Sequence, residues 1–237
     1  MPALADPSQV PQAIQWPLPP VTAQPAGPAP TGRRLRLGVM ASGDGSNFEA
    51  LTRAGRAGQL PAEVVLLVVN NSGCRALERA RRLGVPGRLI DHRRLPGREA
   101  LDDALIEAFR QAAVDLVVMA GWMRIVTPRL IAAFPERLVN IHPSLLPSFR
   151  GVDAVGQALA AGVTLAGCSA HLVIEQVDAG AILVQAAVPV HPGDDRASLA
   201  ARIQRQEHRI LPLAVQLAAE RLGLLPAPPA LAPGPQG

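Results

Sequence analysis

Apolar residues in this chain alternate between two patterns, short and nearly continuous runs and longer stretches where they recur every three or four positions. The runs are Leu35–Ala41, 64–69, 87–90, Leu116–Met119 and 138–141. A run that is mostly apolar on both faces, here interrupted only by Arg36, Arg88 and Asn140, predicts a strand buried on both sides, as in a parallel sheet. The stretches between them predict helices at 46–57, 75–83 and Arg98–Gln111, the last with Leu101, Leu105 and Phe109 on one face. Thr127-Pro128 opens another helix, since threonine suits the cap and proline the first turn. Strands separated by helices imply right-handed crossovers and helices on both faces of the sheet.

Beyond residue 150 the pattern changes. A helix near 154–161 precedes two long β-type runs, 164–174 and 181–190, joined by a loop over 175–180. That spacing predicts an antiparallel pair added to the sheet. A final helix over 196–222 is expected to break or kink at Pro212, which has no amide hydrogen to donate. The expected fold is α/β and doubly wound, with a mostly parallel sheet and an antiparallel pair in its C-terminal half. Residues 34–225 form the domain. Residues 1–33 and 226–237 are rich in proline and alanine, and are expected to be disordered because they bury too little apolar surface to offset ordering.

Composition changes this picture little. Hydrophobic residues make up 49% but aromatics only 3%, with no tyrosine, so the core must be built from Leu, Val, Ile and Ala. The net charge is +4 and all 23 basic residues are arginine. Such uniform usage reads as compositional bias and not as a nucleic-acid footprint, and it still permits anionic ligands. No apolar run reaches the roughly 18 residues of a membrane span, and no basic leader precedes an apolar stretch, so a cytoplasmic location is expected. Cys74 and Cys168 lie far apart in apolar surroundings and read as buried, reduced thiols.

Two segments carry candidate chemistry. Ser42-Gly43-Asp44-Gly45-Ser46-Asn47 sits between the first strand and the first helix, where free amides can bind phosphate. Phe48 occupies the third glycine position, so this is not a dinucleotide fingerprint. The carboxylate of Asp44 would oppose a phosphate unless it points away. Asn140 and His142 lie at the end of the fifth strand, outside which ligands of open parallel sheets bind. Alternation aims both side chains to one side. An asparagine amide can donate to an oxyanion, and a histidine, titrating near ~6.5, can move a proton at neutral pH. Asp178 is an acid in a loop between two apolar strands, where aspartate is otherwise uncommon. No histidine spacing suggests a metal site. His171, on a long β-type run, reads as a satisfied structural histidine, and His191-Pro192-Gly193-Asp194 as an exposed turn.

Asn140-Ile141-His142-Pro143-Ser144-Leu145-Leu146-Pro147 resembles the signature of the folate-dependent formyltransferases. The resemblance extends from about Leu35 to Leu213. It implies Asn140 as oxyanion donor, His142 as the proton-handling residue and Asp178 as the carboxylate that positions it. It also places His171 near the pocket wall. The chain has Ala181 where the family commonly has proline, and Asp44 where it has asparagine. Within the family, the phosphoribosylglycinamide formyltransferases are the nearest pattern. This implies Gly45, Ser46, Asn47 and Phe48 at the phosphate, and Gln204 and Glu207 on the ribonucleotide. It further implies Arg98, Met123, Arg124, Ile125, Val126 and Asn140 on the folate. The implied substrates are glycinamide ribonucleotide and 10-formyltetrahydrofolate, with no metal, nucleic acid or membrane partner, in a monomer or homodimer. A methionyl-tRNA formyltransferase would call for a C-terminal domain and a formyltetrahydrofolate hydrolase for an N-terminal one, and neither is expected here.

Overall fold

The computed structural model of the protein describes residues 34–225 and the short segment Ile14–Trp16. The strands are β1 (Ile14–Trp16), β2 (Leu35–Ala41), β3 (Ala62–Val69), β4 (Gly87–Leu89), β5 (Leu116–Met119), β6 (Leu138–His142), β7 (Leu165–Leu172) and β8 (Ile182–Pro189). The helices are α1 (Ser46–Arg56), α2 (Arg75–Arg82), α3 (Arg98–Gln111), α4 (Pro128–Ala133), α5 (Ala154–Ala160) and α6 (Arg196–Arg221). A 3-10 turn at His92–Arg94 was not anticipated from the pattern.

The sheet has the order β1-β8-β7-β6-β5-β2-β3-β4. β2 pairs in parallel with both β3 and β5, so the chain winds outward from β2 in two directions. Where that order reverses, the helices leave on opposite faces and a crevice opens at the carboxyl ends of β2 and β5. β6 continues the parallel set. β7 and β8 are antiparallel, as expected, and attach to the β6 edge.

Alternation along the strands divides the apolar side chains between two cores. Leu35, Leu37, Val39 and Ala41 pack with α1, α2, α5 and α6 on one face, while Met40 joins Leu105, Phe109 and Leu130 of α3 and α4 on the other. With so few aromatics, Phe109 and Phe134 matter: they meet edge to face with centroids 6.1 Å apart. Gly38 lies under the Phe109 ring, where a Cβ would approach within 2.6 Å. β2 is thereby held close to α3 at the strand that ends in the 42–47 turn.

Two expectations need correction. α6 does not break at Pro212 but runs as one helix of 26 residues. Its buried face, including Leu199, Ile203, Ile210, Leu211, Ala214 and Val215, lies on the sheet. Each such side chain contributes about 1.5–3 kcal/mol on burial, which together exceeds the ~3 kcal/mol cost of an internal proline. Asp195 caps the helix by accepting from Ser198 N at 2.7 Å, and Ser198 Oγ accepts from Asp195 N at 3.0 Å. Within 1–33, expected to be disordered throughout, Ile14–Trp16 instead pair antiparallel with Gln185–Ala187 of β8. An unpaired edge offers backbone donors and acceptors that any short extended segment can satisfy. The rest of 1–33, and 226–237, lie outside the described residues. Phe109→Ala should destabilise the protein by about 3–5 kcal/mol, read as a lower urea midpoint at unchanged slope.

Candidate active site

β6 ends the parallel set and β7 begins the antiparallel one, so side chains from both meet at one place. Asn140 stands opposite His171 in the β6–β7 register, and His142 opposite Ser169. The loop that follows β7 brings Asp178 back over this pair. Asp178 itself is left-handed, with φ of 51°, a conformation aspartate tolerates better than most residues. Two residues on, a Cβ at Gly180 would collide with the carbonyl oxygen of Leu172. The amide of Leu172 donates to Ala181 O at 2.9 Å. Ala181, in the position where proline was expected, therefore leaves the loop anchored by close backbone approach.

Each oxygen of Asp178 faces donors. Oδ2 accepts from Gly151 N at 2.9 Å and lies 3.4 Å from His142 Nδ1. Oδ1 is 3.4 Å from Asn140 Nδ2 and 3.5 Å from His171 Nε2. Burial alone would raise the carboxyl pKa, but the His171 hydrogen bond, the Gly151 amide and the charge of His142 together hold it below the ordinary carboxylate range. The ionised form is thus favoured in the fold. It contributes stability above the unfolded-state value and loses it only as pH falls through the lowered one.

The two histidines differ in their partners. His142 Nε2 lies 2.9 Å from Phe149 O while Nδ1 faces Asp178. Both neighbours are acceptors, so both contacts are satisfied only by the imidazolium, which has two donors. His171 Nδ1 donates to Leu172 O at 2.8 Å. Its Nε2 stands 3.1 Å from Asn140 Nδ2. That nitrogen serves Asp178 when it carries a proton and Asn140 when it does not. When that nitrogen carries a proton, Asn140 Nδ2 spends one hydrogen on Asp178 Oδ1 and keeps the other for a ligand oxygen.

The proline-flanked segment after His142 is held from beneath. Ser169 Oγ donates to Ser144 O at 2.7 Å and accepts from Leu146 N at 3.0 Å. Gln185 Nε2 donates to Leu146 O at 2.9 Å. Ser144 Oγ donates to Ser148 O at 2.6 Å, a turn-closing role with no base beside it.

A second group of residues forms the opposite end of the cleft. Gly45, with φ of 76°, caps α1 without a side-chain hydrogen bond, leaving the amides of the first turn without helical partners. Gln204 and Glu207, one turn apart on α6, reach back to it. Gln204 Nε2 donates to Ser46 Oγ at 3.0 Å, and Asn47 Nδ2 donates to Glu207 Oε2 at 2.8 Å. Burial pushes the Glu207 carboxyl up, against the smaller opposing effect of the Asn47 bond. Asp44 turns its carboxylate to α2, where Arg79 Nη2 lies at 2.6 Å and Arg75 Nη1 at 3.3 Å.

One cleft of about 570 Å³ joins the two groups and is lined by Gly45, Ser46, Asn47, Asn140, His142, His171, Asp178, Gln204 and Glu207. Met123, Arg124, Ile125 and Val126 line it from the loop after β5, with Met123 70% and Ile125 50% exposed. Met123 N donates to Ser42 Oγ at 2.9 Å, tying that loop to the end of β2. Two of the residues implied by resemblance are not among those lining the cleft. The Phe48 side chain is 0% exposed and packs in the core, because the helical turn that aims Asn47 at the cleft aims Phe48 inward. Arg98 is exposed in the first turn of α3, the helix on the other face of the sheet. His171, read as structural, proves to be a full member of the cluster. Its signal was its register opposite Asn140, which the linear sequence does not display. Gly151 and the Phe149 carbonyl were missed for the same reason. Cys168 is buried, which pushes its thiol pKa up, whereas Cys74 is only half-buried at the start of α2. Among the described residues, no group of three or more His, Cys, Asp or Glu is arranged to hold a metal ion. No helix among them is long and apolar enough to cross a membrane.

The family model for formyl transferase matches residues 35–215, which includes both ends of the cleft. The chain belongs to the formyl transferase family. It is 36% identical over 181 residues to the phosphoribosylglycinamide formyltransferase of Bacillus subtilis, covering 76% of this chain and 93% of that one. Among solved structures, glycinamide ribonucleotide transformylase 1 from Symbiobacterium toebii superposes with a TM-score of 0.78 at 46% identity, covering 80% of this chain and 90% of that one. The trifunctional purine biosynthetic protein adenosine-3 of Gallus gallus is 42% identical over 186 residues, and the chain spans 18% of its length.

In this member of the formyl transferase family, the Asp178 loop depends on the absence of a side chain at residue 180. Gly180→Ala should displace Asp178 and lower kcat at least about tenfold while the folded protein persists, checked by steady-state kinetics beside circular dichroism.

Proposed function

We propose that the protein transfers the formyl group of 10-formyltetrahydrofolate to the amine of glycinamide ribonucleotide. The observation that carries this reading is the cleft that joins a helix N-terminus with no side-chain cap to the Asn140–His142–Asp178 cluster. A phosphate suits the amides of Gly45, Ser46 and Asn47, and Gln204 and Glu207 offer polar contacts to the rest of the ribonucleotide. The folate co-substrate suits the apolar wall formed by Met123, Ile125 and Val126, with Arg124 beside it. The names of the bacterial relatives, phosphoribosylglycinamide formyltransferases, support the ribonucleotide as acceptor and formyl as the group transferred.

The chemistry follows from the donors present. The substrate amine attacks the formyl carbon, and the carbonyl oxygen becomes an oxyanion on a tetrahedral centre. The Asn140 amide and a protonated His142 stabilise that oxyanion, His142 through Nε2 once the ligand oxygen replaces the Phe149 carbonyl there, while Asp178 on Nδ1 keeps the ring aimed. Collapse breaks the bond from the carbon to the folate nitrogen. The proton lost by the attacking amine goes to that nitrogen, through His142 or a water beside Asp178, so tetrahydrofolate and the formylated ribonucleotide leave. No covalent enzyme intermediate is required, and Ser144 is engaged in its turn.

Purified protein supplied with both substrates should release tetrahydrofolate only when glycinamide ribonucleotide is present. His142→Ala should lower kcat by about two or more orders of magnitude. Folate turnover independent of the ribonucleotide would indicate hydrolysis in place of transfer, and a near-normal rate in the variant would remove His142 from the mechanism.

A further inference from the structure

The turn that offers its amides to an anion also carries an acid, and the structure accounts for how the two coexist. Gly43, Asp44 and Gly45 rest on the first two turns of α2. Ala76 N donates to Gly43 O at 3.2 Å, and Gly45 packs so closely on Ala76 that a Cβ there would meet it at 2.6 Å. Arg79 makes the remaining connections. Its Nε donates to the backbone carbonyl of Asp44 at 2.8 Å and its Nη2 to the Asp44 carboxylate at 2.6 Å. Its Nη1 pairs with Glu49 in the first turn of α1, a carboxylate also bound by Arg53 and Arg82 at 2.6 Å. One planar guanidinium therefore holds the main chain of the turn, the side chain of the turn and the helix that follows it. Arg75 adds a weaker, largely exposed contact to Asp44 at 3.3 Å.

We propose that Arg79 is a positioning residue for the anion-binding turn, drawing the Asp44 carboxylate toward α2 so that the amides of Gly45, Ser46 and Asn47 present an uncontested site. The proposal rests on the reading that this turn takes the phosphate of the substrate. It explains how an acid occupies a position next to a bound anion: its charge is neutralised and its direction fixed by Arg79, the fifth residue of the neighbouring helix α2. Without Arg79, the carboxylate is free to swing toward the ligand and repel it. Lysine would not substitute, because a single ammonium cannot span the carbonyl, the carboxylate and Glu49 in one plane.

Inorganic phosphate is the probe, its affinity for the full chain measured by calorimetry beside the KM for glycinamide ribonucleotide. Arg79→Ala should weaken phosphate about tenfold and raise that KM by a similar factor, with kcat within about threefold. Adding Asp44→Asn to the same chain should restore most of both, since an amide brings no charge when released. A merely structural role for Arg79 would not produce that recovery. Phosphate affinity unchanged in Arg79→Ala, a double variant as weak as the single one, or a wild-type chain that takes no phosphate would each overturn the proposal. Phosphate binding that follows the predicted pattern in a protein that does not formylate the ribonucleotide would keep the positioning role and refute the substrate reading. Should Arg79→Ala fail to fold, Arg79→Lys keeps the charge and is expected to weaken phosphate partially; wild-type affinity in that variant would overturn the proposal as well.

Discussion

The carboxylate of Asp178 sits where the parallel and antiparallel halves of the sheet meet, with the Gly151 amide and His142 on one oxygen and Asn140 and His171 on the other. Half-buried charge of this kind is tolerated only when it is surrounded by donors, and those donors come from β6, β7 and the loop after Phe149. The dependence runs both ways. The carboxylate faces His142 and Asn140, and His171, the Gly151 amide and His142 favour its ionised form. The Gly180 backbone approach and the Ser169–Gln185 bonds beneath Leu146 fix the chain segments that deliver these groups. The rest of the site takes its position from this arrangement.

The cleft separates two electrostatic tasks. At the Asp178 end a fixed negative charge faces the ring nitrogens of His142 and His171. At the α1 end the protein presents amide dipoles, and its nearby acids are either paired or favoured as neutral. Asp44 is paired with Arg79, while burial favours the neutral form of Glu207. Under the proposed function, keeping negative charge away from one end and concentrating it at the other suits a single crevice to an anion at one end and a proton-handling histidine at the other.

The sequence displayed those features that are local or periodic. Mostly apolar runs gave the strands and their parallel arrangement, because a strand buried on both faces has no other composition open to it. Asn140 and His142 were legible from a two-residue spacing at a strand end. His171 was not, because a histidine inside a β-type run has the same linear appearance whether it faces a core or a ligand, and only pairing with β6 decides. Phe48 and Arg98, implied by resemblance, do not line the cleft, since the linear sequence does not display which side of a helix, or of a sheet, a residue occupies. The uninterrupted α6 and the pairing of Ile14–Trp16 both depend on long-range partners that outweigh local propensity.

The most direct test of the central role of Asp178 is the pH dependence of kcat in Asp178→Asn. With the carboxylate gone, kcat should fall by about two orders of magnitude or more across neutral pH. The KM for glycinamide ribonucleotide should stay within about threefold, because Ser46, Asn47, Gln204 and Glu207 lie at the other end of the cleft. In the wild-type protein, protonating the same group should cause a comparable loss only as pH falls below the ordinary carboxylate range. A variant with near-normal kcat, or one whose whole defect lies in KM, would contradict the account.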